Sequence, residues 1–329
     1  MRSGRFSHRK YCPNRRALDC RCLPYRAFLA TALAGSTGCV LHLSLFGHVD
    51  QPMVYAVATL SHRICCEGEA YVMRLRDFAR EGLYCLLYAI TGSGKGVRVI
   101  LLYHSVGGKP PYGVSPQRFE EQMSWVKEQF RVVRLCDLPK AVQSEASDTN
   151  LACITFDDGC RDNFEVALPI LDRFGLKATF FIATGFLNGT FRTSTGEEYS
   201  AMTPKQVQEL AALGHEVGAH TVTHPKLTRL PPTQAYAEII NSKCYLEDLL
   251  GSPVTSFAYP KGDYNAAVRS LVVQAGFQVA VTIREGLVGD QPDWLSLPRV
   301  WVSGMLGTKG FKARLSPAID LYRRIVRGA

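Results

Sequence analysis

The fold prediction starts from nine residues, Leu151-Ala-Cys-Ile-Thr-Phe-Asp-Asp-Gly159. Six mostly apolar residues are typical of a strand that is buried on both faces, and the two carboxylates and the glycine end it. Asp157 and Asp158 therefore lie at the C-terminal end of a strand, the edge that carries catalytic loops in α/β proteins. Because adjacent like charges repel, the pair indicates a shared cation. The alternative at this point is a plain Asp-Asp-Gly turn, in which Asp caps and Gly takes a positive φ.

Strand patterns and helix patterns alternate along the remaining chain. Further strands are predicted at Val97–Tyr103, Arg131–Leu135, Lys177–Thr184, Glu216–His220, Val254–Ala258, Phe277–Thr282 and Arg299–Val302. Helices are predicted at Pro116–Gln129, Asp162–Phe174, Thr203–Gly214, Thr233–Leu250 and Asn265–Ala275, and Leu187–Ala201 is predicted to be a long polar loop. Seven or eight strands in such alternation imply a parallel sheet, either a closed barrel or a doubly wound sheet.

The first 95 residues differ in composition from the rest of the chain. The 329 residues are 47% hydrophobic, enough for one large domain plus an appendage. Residues 1–95 hold 13 Lys and Arg against 6 Asp and Glu, whereas residues 96–329 hold 25 against 23. The main body is thus nearly neutral, and no nucleic-acid partner is indicated. Seven of the eleven cysteines precede residue 96, and their spacings fit neither a disulfide framework nor a cysteine metal site.

Residues 1–72 allow three interpretations. The short apolar run Ala27–Val40 is preceded by Arg15, Arg16, Arg21 and Arg26, a pattern that resembles a secretory signal segment. A disordered appendage is the second interpretation, and a reading frame extended beyond a true start at Met73 is the third. The location is the cell envelope if residues 1–40 are a signal segment, and the cytoplasm if the chain starts at Met73.

Residues 73–95 are predicted to form an amphipathic helix followed by a Gly-rich linker, Gly92-Ser-Gly-Lys-Gly96. The helix has a basic face. It can pack on the main domain, which is the favoured interpretation, or associate with a membrane surface through residues 73–90.

Two histidines lie at and just after the C-terminal end of the predicted strand Glu216–His220. His220 and His224 are four residues apart, and such a pair converges on one ion if the intervening residues make a tight loop. One carboxylate of the Asp-Asp pair completes a set of two His and one Asp, which leaves a coordination position for water, as catalytic zinc sites require. Either histidine alone has an alternative interpretation as a hydrogen-bonded residue at a strand end.

Two motifs together resemble a known family. Thr155-Phe-Asp-Asp-Gly159 with His220-Thr-Val-Thr-His224 is similar to the polysaccharide deacetylases, the nodulation-type carbohydrate esterases of family four. The resemblance covers about residues 96–304. It implies a distorted (β/α)7 TIM-like barrel at residues 96–315, preceded by a poorly structured extension and followed by a helix or tail at residues 316–329.

The resemblance also implies roles for individual residues. Asp157 corresponds to the catalytic base of the family. The implied ligands of a divalent metal ion, with Zn²⁺ expected, are Asp158, His220 and His224. Leu102-Tyr-His-Ser-Val106 is similar to the subgroup that acts on exopolysaccharide N-acetylglucosamine, which implies that His104 is the catalytic acid.

The sequence departs from the family at its third motif. The usual Arg-Pro-Pro-Tyr-Gly is replaced by Ala258-Tyr-Pro-Lys-Gly262, so the arginine that would orient the base is missing. Arg299 is a candidate for the missing positive charge beside Asp157, and its alternative is an ordinary surface arginine. Tyr259 and Trp294 are candidate sugar platforms, with plain packing as the alternative for Trp294. A backbone N–H near Lys261 is a candidate oxyanion donor.

Three functions are compatible with these residues. The leading hypothesis is a metal-dependent hydrolase that removes N-acetyl groups from acetylated amino sugars of a polymer or oligomer. The second hypothesis keeps the metal site but assigns it to a small non-sugar amide. The third is a carbohydrate-binding relic without turnover, which the missing arginine alone supports.

Overall fold

The computed structural model describes residues 28–30, 43–45, 62–66, 69–73, 75–193 and 196–327. The chain divides into two units, Met1–Ala79 and Arg80–Ala329. Most of the predicted extension, residues 1–72, lies outside the described residues, so its three interpretations stay predictions. Strands described in the first unit form two antiparallel pairs, β1 (Phe28–Ala30) with β2 (Leu43–Leu45) and β3 (His62–Cys66) with β4 (Glu69–Met73).

The second unit alternates strands and helices, as predicted. Its described strands are β5 (Arg98–Tyr103), β6 (Ser105–Val106), β7 (Gly113–Val114), β8 (Arg131–Val132), β9 (Leu151–Phe156), β10 (Thr179–Ile182), β11 (Thr190–Arg192), β12 (Glu198–Ser200), β13 (Glu216–Ala219), β14 (Ser256–Ala258), β15 (Val279–Val281) and β16 (Val300–Trp301). The described helices are α1 (Leu75–Thr91), α2 (Pro116–Gln129), α3 (Leu138–Ser144), α4 (Leu168–Phe174), α5 (Pro204–Ala212), α6 (Pro232–Leu250), α7 (Ala266–Gln274), α8 (Thr308–Arg314) and α9 (Ala318–Arg327).

The main sheet is parallel and runs in the order β15-β14-β13-β10-β9-β5-β16, with β8 attached to β9. Residues 297–302 join its two edges. On one side Thr282 N donates to Leu297 O at 2.9 Å, and on the other Val302 N donates to Leu102 O at 2.9 Å. The sheet therefore closes around a central axis with helices outside, which confirms the predicted barrel.

Alternation along the strands separates two apolar clusters. In β9, Ala152, Ile154 and Phe156 pack in the cluster that includes helix residues such as Phe119. Cys153 belongs to a separate cluster, which includes Ile100 of β5, Phe181 of β10, Ala258 of β14 and Leu297. The period of two places Thr155 and Asp157 on the same face as Cys153. The sequence of β9 thus directs Asp157 toward the inside of the barrel.

Capping side chains mark the starts of two helices. Ser115 precedes α2, and its hydroxyl accepts a hydrogen bond from Arg118 N. Thr203 and Gln206 form a reciprocal capping box at the start of α5, with Thr203 N donating to the Gln206 side chain at 2.8 Å. These local bonds fix where each helix begins, and so they fix the lengths of the loops above the strands.

Two predicted segments differ from the structure. Leu187–Ala201 was predicted as a loop, but it contains the antiparallel hairpin β11–β12, which is anchored by stacking of Phe186 on Phe191 at 4.8 Å. The helix predicted from Asp162 begins with a π-helical turn, Asn163–Ala167, before α4. The polar and aromatic residues of the β11–β12 hairpin lack a clear alternation, and for this reason the sequence pattern predicts a loop there.

Side chains near the two ends of the second unit, from α1, α8 and α9, pack on one another. Tyr84 of α1 stacks on Tyr322 of α9 with 4.2 Å between ring centroids, and Glu81 pairs with Arg314. In the part of the chain that the structure describes, no helix combines the length and the apolar character that crossing a bilayer requires. Surface association through residues 73–90 stays a prediction, as do the domain boundaries at residues 72, 95 and 315.

Candidate active site

Three strand ends bring the predicted polar residues together. Asp157 and Asp158 follow β9, His104 follows β5, and His220 follows β13. The backbone is unusual here, since Asp158, Thr221 and His224 have φ values of 70°, 65° and 57°. Left-handed conformations at residues other than glycine are uncommon and concentrate at functional sites. The loops after β9 and β13 are therefore shaped for the positions of their side chains.

Asp158, His220 and His224 form a compact donor set. Oδ1 of Asp158 lies 3.4 Å from Nε2 of His220 and 3.4 Å from Nε2 of His224. All three ligand atoms lie within 4.8 Å of one another, a spacing that one metal ion can share. Two imidazole nitrogens and one carboxylate oxygen are the donors that zinc takes in catalytic sites. The residues present therefore fit a divalent ion.

Hydrogen bonds and burial set the orientation and the protonation state of these three side chains. Nδ1 of His220 donates to the carbonyl oxygen of Ala258 at 2.7 Å, which directs Nε2 toward the other ligands. Burial lowers the pKa of His224 to about 4, so its imidazole is neutral and its Nε2 lone pair is available. Burial opposes ionisation of Asp158, but the hydrogen bond with His220 and the charge of the histidines bring its pKa well below the usual range. Asp158 and His224 therefore favour the protonation states that bind metal. Burial opposes protonation of His220, but the hydrogen bond with Asp158 and the charges of both aspartates raise its pKa, so metal binding would displace a proton from this ring.

Arg299 is not a surface residue. Its side chain is 0% exposed, and its guanidinium donates to both oxygens of Asp157, with Nη1 to Oδ1 at 2.7 Å and Nη2 to Oδ2 at 2.6 Å. Nε donates to the carbonyl oxygen of Thr282 at 2.8 Å, and Nη1 also donates to Oγ1 of Thr155 at 3.1 Å. The surface alternative for Arg299 is thus wrong, because this residue, directly before β16, is buried inside the barrel.

The Arg299 pair keeps Asp157 ionised. Burial alone raises the pKa of Asp157, but the charge and hydrogen bonds of Arg299 outweigh burial and hold the pKa below its ordinary value. A bidentate guanidinium also fixes the plane of the carboxylate. Asp157 is therefore an oriented, charged proton acceptor next to the Asp158 donor set.

His104 lines the same cavity as Asp157 and Asp158. Its ring packs on Tyr112 with 4.5 Å between ring centroids, and its carbonyl oxygen accepts a hydrogen bond from Asn163 Nδ2 at 2.7 Å. Nδ1 is buried and has no hydrogen-bond partner among the described residues. Burial lowers the pKa of His104, although the charges of Asp158 and Asp157 oppose this effect.

A cavity of about 600 Å³ contains these groups. Asp157, Asp158, His104 and both predicted histidine ligands line it, together with Lys261. The remaining lining residues are Leu102, Tyr112, Phe186, Phe191, Arg192, Thr193, Ile283 and Trp301. The cavity thus brings carboxylates, imidazoles and aromatic side chains together in one concave site.

Two predicted substrate contacts are not brought to this cavity. Tyr259 is 0% exposed, its hydroxyl donates to the carbonyl oxygen of Leu295 at 2.9 Å, and its ring packs on Phe257. Trp294 packs, partly buried, against the apolar cluster that includes Leu297, and does not line the cavity. The prediction of these two residues as sugar platforms is corrected for this reason: each is used in packing.

Trp301 and Tyr112 are cavity residues that the sequence interpretation missed. Trp301 is 40% exposed and follows Arg299 by two residues, so the period of a strand places both on one face. The two-residue spacing from Arg299 could therefore have indicated that Trp301 lines the site. Tyr112 reaches the site from the segment between β6 and β7, and no spacing in the sequence relates it to Asp158.

Known proteins are similar to this chain in sequence and in fold. The profile of the family described as polysaccharide deacetylase matches residues 144–280. YxkH of Bacillus subtilis, which carries that family's name, is 30% identical over 213 residues, covering 64% of this chain and 73% of its own length. A poly-beta-1,6-N-acetyl-D-glucosamine N-deacetylase of Staphylococcus epidermidis is 24% identical over 235 residues, covering 64% of this chain and 80% of that protein.

Solved structures of other proteins have a similar fold. The deacetylase PplD of Streptococcus pyogenes, in complex with acetate, has a TM-score of 0.59 at 27% identity and covers 67% of this chain and 99% of that chain. IcaB from Ammonifex degensii, with a TM-score of 0.58 at 23% identity over 69% of this chain and 98% of that chain, supports the fold. The chain belongs to the polysaccharide deacetylase family. It is an enzyme, a hydrolase of amide bonds, as the sequence resemblance predicted.

Proposed function

We propose that this enzyme removes N-acetyl groups from an acetylated amino-sugar polymer or oligomer with the help of one divalent ion. The observation that carries the proposal is the facing arrangement of Asp158, His220 and His224 beside the ionised Asp157. The name of the Staphylococcus epidermidis relative supports an N-acetylglucosamine polymer as the substrate class. The nearly neutral composition of residues 96–329 gives no reason to expect a nucleic-acid partner.

The proposed ligands are Asp158, His220 and His224, and Zn²⁺ is the expected ion because two nitrogen donors and one carboxylate match its catalytic sites. When bound, such an ion acidifies water, lowering its pKa from 15.7 to about 7, and polarises a carbonyl oxygen. The chain's own residues then orient the reactants and move protons.

Asp157 is the proposed general base. Its carboxylate is ionised and held by Arg299, so it is ready to accept the proton of the attacking water while the water approaches the acetamide carbon. The backbone N–H of Lys261 is the proposed donor to the developing oxyanion, since Lys261 lines the cavity in a left-handed conformation with φ 58°. One such donor contributes about 3–4 kcal/mol.

His104 is the proposed general acid, and Trp301 the proposed sugar platform. Protonated His104 would donate to the leaving nitrogen, which yields acetate and a free amino sugar. The half-exposed indole of Trp301 offers an apolar face to a sugar ring within the same cavity, in place of the predicted Tyr259 and Trp294.

Replacing His104 with glutamine is expected to lower kcat by about 10²-fold, the lower end of the range for general acid catalysis. The lower end applies because burial lowers the pKa of His104, so that protonation is incomplete at neutral pH. The alkaline limb of the pH profile of kcat should disappear, since the protonated fraction of His104 falls as pH rises. Metal content should stay unchanged, and an unaltered pH profile would remove His104 from the mechanism.

The proposed function is tested by acetate release from N-acetylglucosamine oligomers, measured for the purified chain before and after treatment with a chelator and again after adding Zn²⁺. Release that is lost with chelator and restored by Zn²⁺ supports the proposal. Hydrolysis of small non-sugar amides without release from sugars selects the second hypothesis. Sugar binding without any hydrolysis selects the binding relic.

A further inference from the structure

The phenol of Tyr112 contacts the proposed metal ligand. Its hydroxyl donates a short hydrogen bond to Oδ2 of Asp158, while Oδ1 of the same carboxylate faces His220 and His224. A phenol has an ordinary pKa of about 10 and a carboxylate of about 4, so the direction of donation is fixed. One oxygen of Asp158 is thus directed to the donor set, and the other is held by tyrosine.

We propose that Tyr112 is a positioning residue, which orients Asp158 so that the carboxylate binds the divalent ion through Oδ1 alone. This inference rests on the metal site of the proposed function. Occupation of Oδ2 by the hydroxyl prevents both oxygens from turning toward the ion. Catalytic sites need coordination positions for water and substrate, and single-oxygen binding leaves them open. Tyr112 therefore acts on the ion through Asp158.

Packing holds the Tyr112 ring in place. One face lies on the His104 ring at 4.5 Å, and the Tyr199 ring of β12 lies at 4.8 Å. Sγ of Cys160 is 3.9 Å from the hydroxyl, which leaves Asp158 as its close partner. Tyr112 thus contacts both the proposed acid and the proposed ligand, so its hydroxyl position is set independently of the ion. Partners that orient metal ligands in this way typically change metal affinity by about 10–100-fold when removed.

The test is the Zn²⁺ affinity of the chelator-treated, full-length chain, measured by competition with a chromophoric chelator for wild type, Tyr112→Phe and Tyr199→Phe. Tyr112→Phe keeps the ring and its packing and removes only the hydroxyl on Asp158. Tyr199→Phe is the matched control, because it removes a phenol hydroxyl from the adjacent ring without touching Asp158. Far-UV circular dichroism and thermal unfolding of the zinc-free proteins show whether each variant is folded.

The expected result is a Zn²⁺ affinity about 10-fold or more weaker for Tyr112→Phe, with Tyr199→Phe within about 2-fold of wild type. Wild-type affinity in Tyr112→Phe would overturn the proposal, and so would equal losses in both variants, which would indicate general packing. The proposed function fails separately: it falls if the wild-type chain takes up no Zn²⁺, in which case no role remains for Tyr112.

Discussion

Asp157→Asn is expected to lower kcat by about 10⁴-fold, the upper end of the range for a general base, while one divalent ion per chain remains bound. The amide has nearly the shape of the carboxylate but cannot accept the proton of the attacking water. The proposed ligands stay intact, because they do not include Asp157. Acetate release and metal content by mass spectrometry, measured on the same preparation, check both parts.

Asp158→Asn is the matched control for this experiment. It changes the neighbouring residue by the same chemistry, and we expect it to lose metal as well as activity, since it weakens the only carboxylate among the proposed ligands. Metal content alone would then distinguish the roles of the two adjacent aspartates. If Asp157→Asn released the ion and Asp158→Asn retained it, the two roles would be reversed.

Arg299→Leu is expected to reduce the free energy of unfolding by about 3–5 kcal/mol, because it leaves the Asp157 carboxylate buried without its partner. The pKa of Asp157 should also rise, since burial then acts without the opposing charge. Activity at neutral pH falls as a consequence, because the base becomes partly protonated. Urea denaturation measures the stability change, and the pH profile of kcat shows the displaced acid limb.

The chain offers a matched control for this change. Arg269 pairs with Asp293 through two similar bonds, Nη2 to Oδ1 at 2.7 Å and Nε to Oδ2 at 3.0 Å, but on the surface. Arg269→Leu should change stability much less, because water solvates the released carboxylate. The double variant Arg299→Leu with Asp157→Leu should regain much of the lost stability without activity. Equal effects of the two single variants would contradict the account of a buried, functional pair.

Local sequence was sufficient for the alternation of strands and helices and for the residues that end the strands, whereas the choice of a barrel over a doubly wound sheet came from the family resemblance. Asp157, Asp158 and His220 follow apolar runs, and the parallel arrangement alone brings such ends to one edge of the sheet. His224 could be predicted as a partner of His220 from the short spacing between the two residues. The residue roles came from the family resemblance, and they remain proposals on which the variants above bear.

Contacts across distant parts of the chain could not be predicted in the same way. Arg299 is separated from Asp157 by 142 residues, so its placement depends on which strands become neighbours when the barrel closes. Tyr259 lies within the third motif and Trp294 lies well after it, yet packing keeps both aromatic side chains out of the cavity. The sequence shows that such residues are aromatic, but only the packing of several strands decides whether each one faces the core or the solvent.

Asp158, His220 and His224 are proposed to hold one divalent ion, beside an Asp157 that pairs with Arg299 and does not bind the ion. The most direct measurement is a crystal structure of the enzyme grown with Zn²⁺, with anomalous diffraction data collected on both sides of the zinc absorption edge. The account predicts a single zinc peak in contact with Asp158, His220 and His224, with Asp157 still paired to Arg299. Zinc bound by Asp157, or found only away from the two histidines, would contradict it.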